Sequence, residues 1–209
     1  PKERVRIISH HLAHAASTYY TSGFKKSAIL IVDGNGSDLE TTSYFEGKNF
    51  KINFIKNYKY FGLGALYNIV STRILKMGTG GEGKTMGLAP YGKKFKNYGL
   101  KFPYFNKGIV NDFSKFMQRM PYSDVLNQIN PNYRMDPINI PYKKIKNKKD
   151  VLKPYFAGTA YNLQDTLEKV IINISQDLYN HTKSENLCIA GGVGLNSVAN
   201  KKILDKTKF

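Results

Sequence analysis

A chain of 209 residues with 41% apolar side chains, among them 15 Tyr and 12 Phe, has the material for one large domain or two small ones around a packed core. The single cysteine, Cys188, excludes an internal disulfide framework, and no run is long and apolar enough to cross a bilayer, so a reducing cytoplasm is the expected setting. The net charge of +17 raises nucleic acid as a partner, but the positive residues are mostly Lys scattered through an Asn, Ile and Tyr-rich background, which argues for biased composition over a reading surface.

In chain order, Pro1-Lys2-Glu3-Arg4 has neither an initiator Met nor signal-peptide character. Residues 12–20 are helix-permissive. Residues 28–33 (Ala-Ile-Leu-Ile-Val-Asp), 41–45 and 50–55 read as three consecutive strands joined by Gly-rich turns. Residues 65–77 place Leu66, Ile69, Val70 and Ile74 on one helical face. The polar, Pro-interrupted stretch 98–155 has weak periodicity and is expected to be an insertion or loop-rich subdomain between two parts of one domain, 1–97 and 156–209. Its lysine cluster, residues 142–149, suits a solvated loop. Residues 159–181 carry the clearest amphipathic stripe, Leu163, Leu167, Val170, Ile171, Ile174 and Leu178. A buried strand at 187–190 then meets Gly191-Gly192-Val193-Gly194 and a helix over 195–204. Hairpin strands, helices, then strand, double glycine and helix predict an α/β fold with a mixed sheet.

Three local patterns bear on chemistry. Asp33-Gly34-Asn35-Gly36 after a strand is either an ordinary hairpin turn or a tight turn around phosphate, since glycine lets backbone N–H groups approach an anion. Gly191-Gly192 between strand and helix is either close packing or a nucleotide-binding turn at a helix N-terminus. His10-His11-Leu12-Ala13-His14 holds three of the four histidines. His10 and His14 lie four apart, on one helical face where two imidazoles can share a metal ion, and Asp33 is the nearest candidate for a third ligand. His11 is expected to point away and to pack or bond at the neighbouring turn. No Glu follows the first His in the metalloprotease manner.

With Gly81-Glu82-Gly83-Lys84-Thr85-Met86-Gly87-Leu88-Ala89-Pro90-Tyr91-Gly92 and Ala190-Gly191-Gly192-Val193-Gly194-Leu195-Asn196-Ser197-Val198-Ala199-Asn200, these motifs occur in the order found in the carbamoyltransferase family of NodU and CmcH type, which the chain resembles over residues 10–200. The resemblance implies the actin, sugar-kinase and Hsp70 (ribonuclease H-like) ATPase superfold, here incomplete at both ends, and similarity to the tRNA threonylcarbamoyl-transfer proteins. It implies an O-carbamoyltransferase in which a separate carboxy-terminal YrdC-like domain makes carbamoyl adenylate from carbamoyl phosphate and ATP. The domain at hand would pass the carbamoyl group to a hydroxylated small molecule. His10, His14 and Asp33 are then metal ligands for iron, zinc, manganese or magnesium. Gly34, Gly36, Gly191, Gly192, Val193 and Asn196 are expected to hold the nucleotide, and Glu82 and Lys84 to work near the acceptor or phosphates. A further metal-binding Asp, the first phosphate loop and a candidate general base are expected outside the chain, leaving it inactive alone. Gly194 stands where the family has Ala, and Asn35 and Ser37 alter the loop after Asp33.

Gly78 to Thr85 also satisfies the Gly-x4-Gly-Lys-Thr string of a P-loop. A P-loop follows a buried strand and opens a helix, however, whereas residues 65–77 read as helix. Two other functions remain open on the sequence. A tRNA threonylcarbamoyl transferase would use the positive charge, and a non-catalytic nucleotide-binding domain would need only the glycine turns.

Overall fold

The computed structural model describes residues 5–59, 62–102 and 143–209. They form an α/β fold with a four-stranded mixed sheet and five α-helices. Strands β1 (Lys26–Val32), β2 (Glu40–Lys48) and β3 (Lys51–Lys59) make an antiparallel meander. The fourth, β4 (Leu187–Ala190), lies parallel to β1 with Ala28 opposite Leu187 and Ile31 opposite Ala190, giving the order β3-β2-β1-β4.

Strand β1 is apolar at every position from Ala28 to Val32 because both of its faces are covered. Its side chains alternate. Ile29 and Ile31 join Ala15, Tyr19, Phe45 and Cys188 under helix α1 (His10–Ser22), while Ala28, Leu30 and Val32 face the larger core under helix α4 (Pro154–Thr182). The sheet is therefore the middle of three layers. Helix α1 starts where Ser9 caps it, its Oγ accepting from the Leu12 amide, and stops at Gly23 in the left-handed region. The stripe of α4 from Leu163 to Leu178 is buried as predicted, and each of its Leu and Ile side chains contributes roughly 2 kcal/mol.

Helix α2 (Leu63–Ile69) runs into a π-helical turn, Val70–Ile74, so the predicted helix over 65–77 starts earlier and ends sooner in a wider turn. Helix α3 (Glu82–Leu88) is short and passes into the 3-10 segment Ala89–Phe95 with Pro90 in its first turn. Among the described residues, α2 and its π-helical turn, not a strand, lead directly into the Gly78 to Thr85 stretch, which agrees with the exclusion of a P-loop. The last helix, α5 (Ser197–Lys206), begins two residues later than predicted, because the 3-10 turn Gly192–Leu195 comes first.

Most of the expected insertion, residues 103–142, lies outside the described residues. At its end, residues 148–152 form a 3-10 turn whose buried Asp150 accepts from the amides of Lys146 and Asn147 and pairs with Lys153 at 2.8 Å. Helix α4 then starts at Pro154, inside the segment read as irregular. Proline suits a first helical turn, where its missing N–H has no intrahelical partner to lose. Among the described residues no helix is long and apolar enough to cross a membrane.

Candidate active site

The first turn and a half of α1 stands over the carboxyl end of β1. This brings Nε2 of His10 to 2.9 Å and Nε2 of His14 to 3.1 Å from the same oxygen, Oδ2 of Asp33, with the two nitrogens 3.1 Å apart. No tautomer suits all three contacts: two Nε2–H groups 3.1 Å apart would repel, and a bare Nε2 would face the carboxylate lone pairs. A cation between the three atoms removes that conflict. Ligand atoms each about 2.1 Å from one ion and at right angles lie roughly 3 Å apart, and two His with one carboxylate is a familiar donor set for a divalent metal. The three residues could therefore hold such an ion.

The other oxygen, Oδ1, accepts from the amides of Gly34 at 2.7 Å and Gly192 at 3.1 Å. Burial alone would raise the Asp33 pKa. The hydrogen bond from His10, the two glycine amides and the nearby His14 outweigh it and hold the carboxyl below its usual range.

His11 packs rather than joining His10 and His14, as expected. It is buried under the sheet with Nδ1 2.7 Å from Oγ of Ser43 in β2, because one residue's advance along a helix rotates the side chain by about 100° toward the core. Burial lowers its pKa despite the nearby Glu40 and Asp33.

A cavity of about 680 Å³ opens beside the triad. It is lined by Asp33 and Gly34 after β1, Ala65, Tyr67 and Asn68 of α2, Glu82 and Met86 of α3, Leu167 of α4, and Gly192, Val193 and Asn196 of the turn before α5. Of the residues expected to bind nucleotide, Gly34, Gly192, Val193 and Asn196 meet in this wall. Gly191 does not line it but shapes it. It sits at φ +93°, and a Cβ there would run into the carbonyl oxygen of Val32, so only glycine brings this turn against β1. Gly36 is also away from the wall, its amide closing the turn onto the Glu40 carbonyl at 2.7 Å. Glu82 lines the cavity and is hydrogen-bonded by the Asn68 side chain, while Lys84 leaves it and donates to the Met77 carbonyl at 3.3 Å.

Residues 2–209 match the family described as carbamoyltransferase N-terminus. The chain belongs to this family.

Among the relatives of this carbamoyltransferase-family chain, the Synechocystis protein sll1178, described as uncharacterised, is 31% identical over 207 residues, covering 96% of the chain and 32% of the relative. The Sinorhizobium fredii nodulation protein NolNO is 27% identical, over 96% of the chain and 27% of its own length. The Bradyrhizobium diazoefficiens nodulation protein NolO is 26% identical, over 94% and 33%. The chain thus spans about a third of the length of the curated relatives it matches.

Sequence reasoning missed Tyr67, Asn68, Met86 and Leu167 on the cavity wall of this family member. It also missed Gln164, which lies behind the wall. Met86 lay within the Gly81 to Gly92 motif and Leu167 within the apolar stripe of α4, and Gln164 stood out as a polar residue beside that stripe.

Proposed function

We propose that the chain forms the transfer half of an ATP-dependent O-carbamoyltransferase, moving a carbamoyl group from carbamoyl adenylate to the hydroxyl of a small molecule. The observation that carries this reading is that Asp33, which shares a donor cluster with His10 and His14, also lines a nucleotide-sized cavity in a member of the carbamoyltransferase family. The order β3-β2-β1-β4, a meander with a parallel strand beside its first strand, supports the actin, sugar-kinase and Hsp70 superfold as the frame. The longer protein would supply a YrdC-like domain that makes the adenylate from carbamoyl phosphate and ATP.

In the transfer step the acceptor oxygen bonds to the carbamoyl carbon, the bond from that carbon to the phosphate oxygen of AMP breaks, and the hydroxyl proton passes to a base. An ion held by His10, His14 and Asp33 would supply Lewis acidity toward phosphate or carbamoyl oxygen. The chain's own residues bind and orient. Ala65, Met86, Leu167 and Val193 offer an apolar wall for a flat base, and Gly192 lets the backbone come close to phosphate. Glu82, kept on the wall by Asn68, is placed to accept from hydroxyls of the ribose or the acceptor. Lys84 serves the phosphates only if it leaves the Met77 carbonyl.

The test is carbamoyl transfer by the full-length protein with ATP, carbamoyl phosphate, a divalent metal and a panel of hydroxylated acceptors, comparing wild type with His14→Ala. Product made by wild type and lost in the variant is the expected result. Adenylate formation with no transfer to any acceptor would count against the reading, and salt-sensitive tRNA binding would then favour the threonylcarbamoyl alternative.

A further inference from the structure

Gln164 sits on α4 between Leu163 and Leu167 and is 4% exposed. A buried carboxamide costs stability unless all of its hydrogen-bonding groups are used. Here they are. Oε1 accepts from the Tyr67 hydroxyl at 2.9 Å and from Nδ2 of Asn196 at 3.0 Å, while Nε2 donates to Oδ1 of Asn196 at 3.1 Å and to Glu168 at 2.9 Å. The Gln164 and Asn196 carboxamides are thus paired reciprocally, each giving and taking one bond.

The pair removes an ambiguity. Asn196 Oδ1 also accepts from the Ala199 amide at 3.0 Å, capping α5, and an amide N–H requires an oxygen there. Its two acceptor positions are therefore filled, and Nδ2 keeps one hydrogen beyond the bond to Gln164. Asn196 lines the cavity, and so does Tyr67. Both are hydrogen-bonded to Gln164. Leucine would fill the same space without needing four partners, so packing alone does not account for a glutamine here.

We propose that Gln164 is the positioning residue of this cavity: by pairing with Asn196 it fixes the turn carrying Gly192 and Val193 and leaves a donor, not an acceptor, of Asn196 for the nucleotide. The inference rests on the nucleotide reading above. Gln164 itself is not on the wall and acts through Asn196 and Tyr67.

The experiment is hydrogen exchange followed by mass spectrometry on the full-length protein titrated with AMP, read in peptides covering residues 62–70 and 191–200. Protection there reports binding in this cavity and not at a second nucleotide site. Gln164→Met keeps the side-chain length but none of the bonds, and Ile174→Val, deep in the same helix face, serves as a mildly destabilised control. The expected result is an AMP midpoint raised about tenfold in Gln164→Met, the loss of one to two hydrogen bonds' worth of orientation, and within twofold of wild type in Ile174→Val. Equal midpoints in wild type and Gln164→Met, or equal shifts in both variants, overturn the inference and leave the nucleotide reading standing. No protection of either segment in wild type at saturating AMP removes that reading and the inference with it. Should Gln164→Met not fold, Tyr67→Phe, which deletes a single hydroxyl, is expected to raise the midpoint two- to fivefold, and an unchanged midpoint there overturns the inference equally.

Discussion

The backbone amide of Gly192 donates to Oδ1 of Asp33 at 3.1 Å, joining the end of β1 to a turn 159 residues further along the chain. One carboxylate thereby divides its work. Oδ1 holds the Gly34 and Gly192 amides, and Oδ2 faces the two histidines.

That division makes Asp33→Asn and Asp33→Ala different experiments. Asparagine can keep an oxygen toward the glycine amides while placing an NH2 group among the histidines. Divalent-metal affinity, measured by equilibrium dialysis, is expected to fall at least about 100-fold in both variants. The melting temperature should fall clearly further in Asp33→Ala, where two amides lose their acceptor. Similar melting temperatures for the two would refute the division.

Gly191 lies at φ +93° and ψ 165°, a region almost closed to other residues, and a Cβ there would run into the Val32 carbonyl. Gly191→Ala is expected to cost at least about 2 kcal/mol by thermal or denaturant unfolding, combining backbone strain with the clash. A variant as stable as wild type would show that the turn can move off β1.

Asp150 gives the stability a pH dependence. The Lys153 ammonium and the amides of Asn147 and Lys146 hold its carboxyl down to about 2. A carboxylate with a depressed folded pKa stabilises fully above its unfolded pKa of about 3.9, and that contribution is lost as pH falls through the folded value. Asp150→Asn should therefore be less stable than wild type at neutral pH. The gap is expected to close between about pH 4 and pH 2, and a gap independent of pH in that window would rule this account out.

Lys56 of β3 pairs with Asp177 of α4 at 2.7 Å and lies over the rings of Tyr44 and Tyr58, at 4.9 and 5.5 Å from their centroids. The group is partly exposed, so solvent screens the pair. Lys56→Met is expected to cost about 1 kcal/mol, mostly through the ring contacts, and to do so nearly independently of salt. A loss that vanishes at 1 M salt would assign the effect to the ion pair.

Much of the fold was legible because its signals are local. The unbroken apolar run of β1 and the helical stripe of α4 depend on side-chain periods of two and about 3.6, which neighbouring residues display by themselves. The four-residue spacing of His10 and His14 is local in the same way, and so is the helix that excluded a P-loop. The early start of α4 at Pro154 and the π-helical turn at Val70–Ile74 were not legible, since polar and β-branched residues there are compatible with several backbones until packing selects one.

What only the tertiary structure decided is which distant residues meet. The amino-acid sequence by itself specified the elements and two histidines on one helical face. The parallel pairing of β1 with β4 then brings Asp33 to Gly192, and the burial of α4 against α2 and the Gly192 turn joins Gln164 to Tyr67 and Asn196. Such contacts satisfy polar groups taken out of water across more than thirty residues. A hydrogen bond of that kind leaves no period in the sequence, because its geometry exists only once the layers have closed.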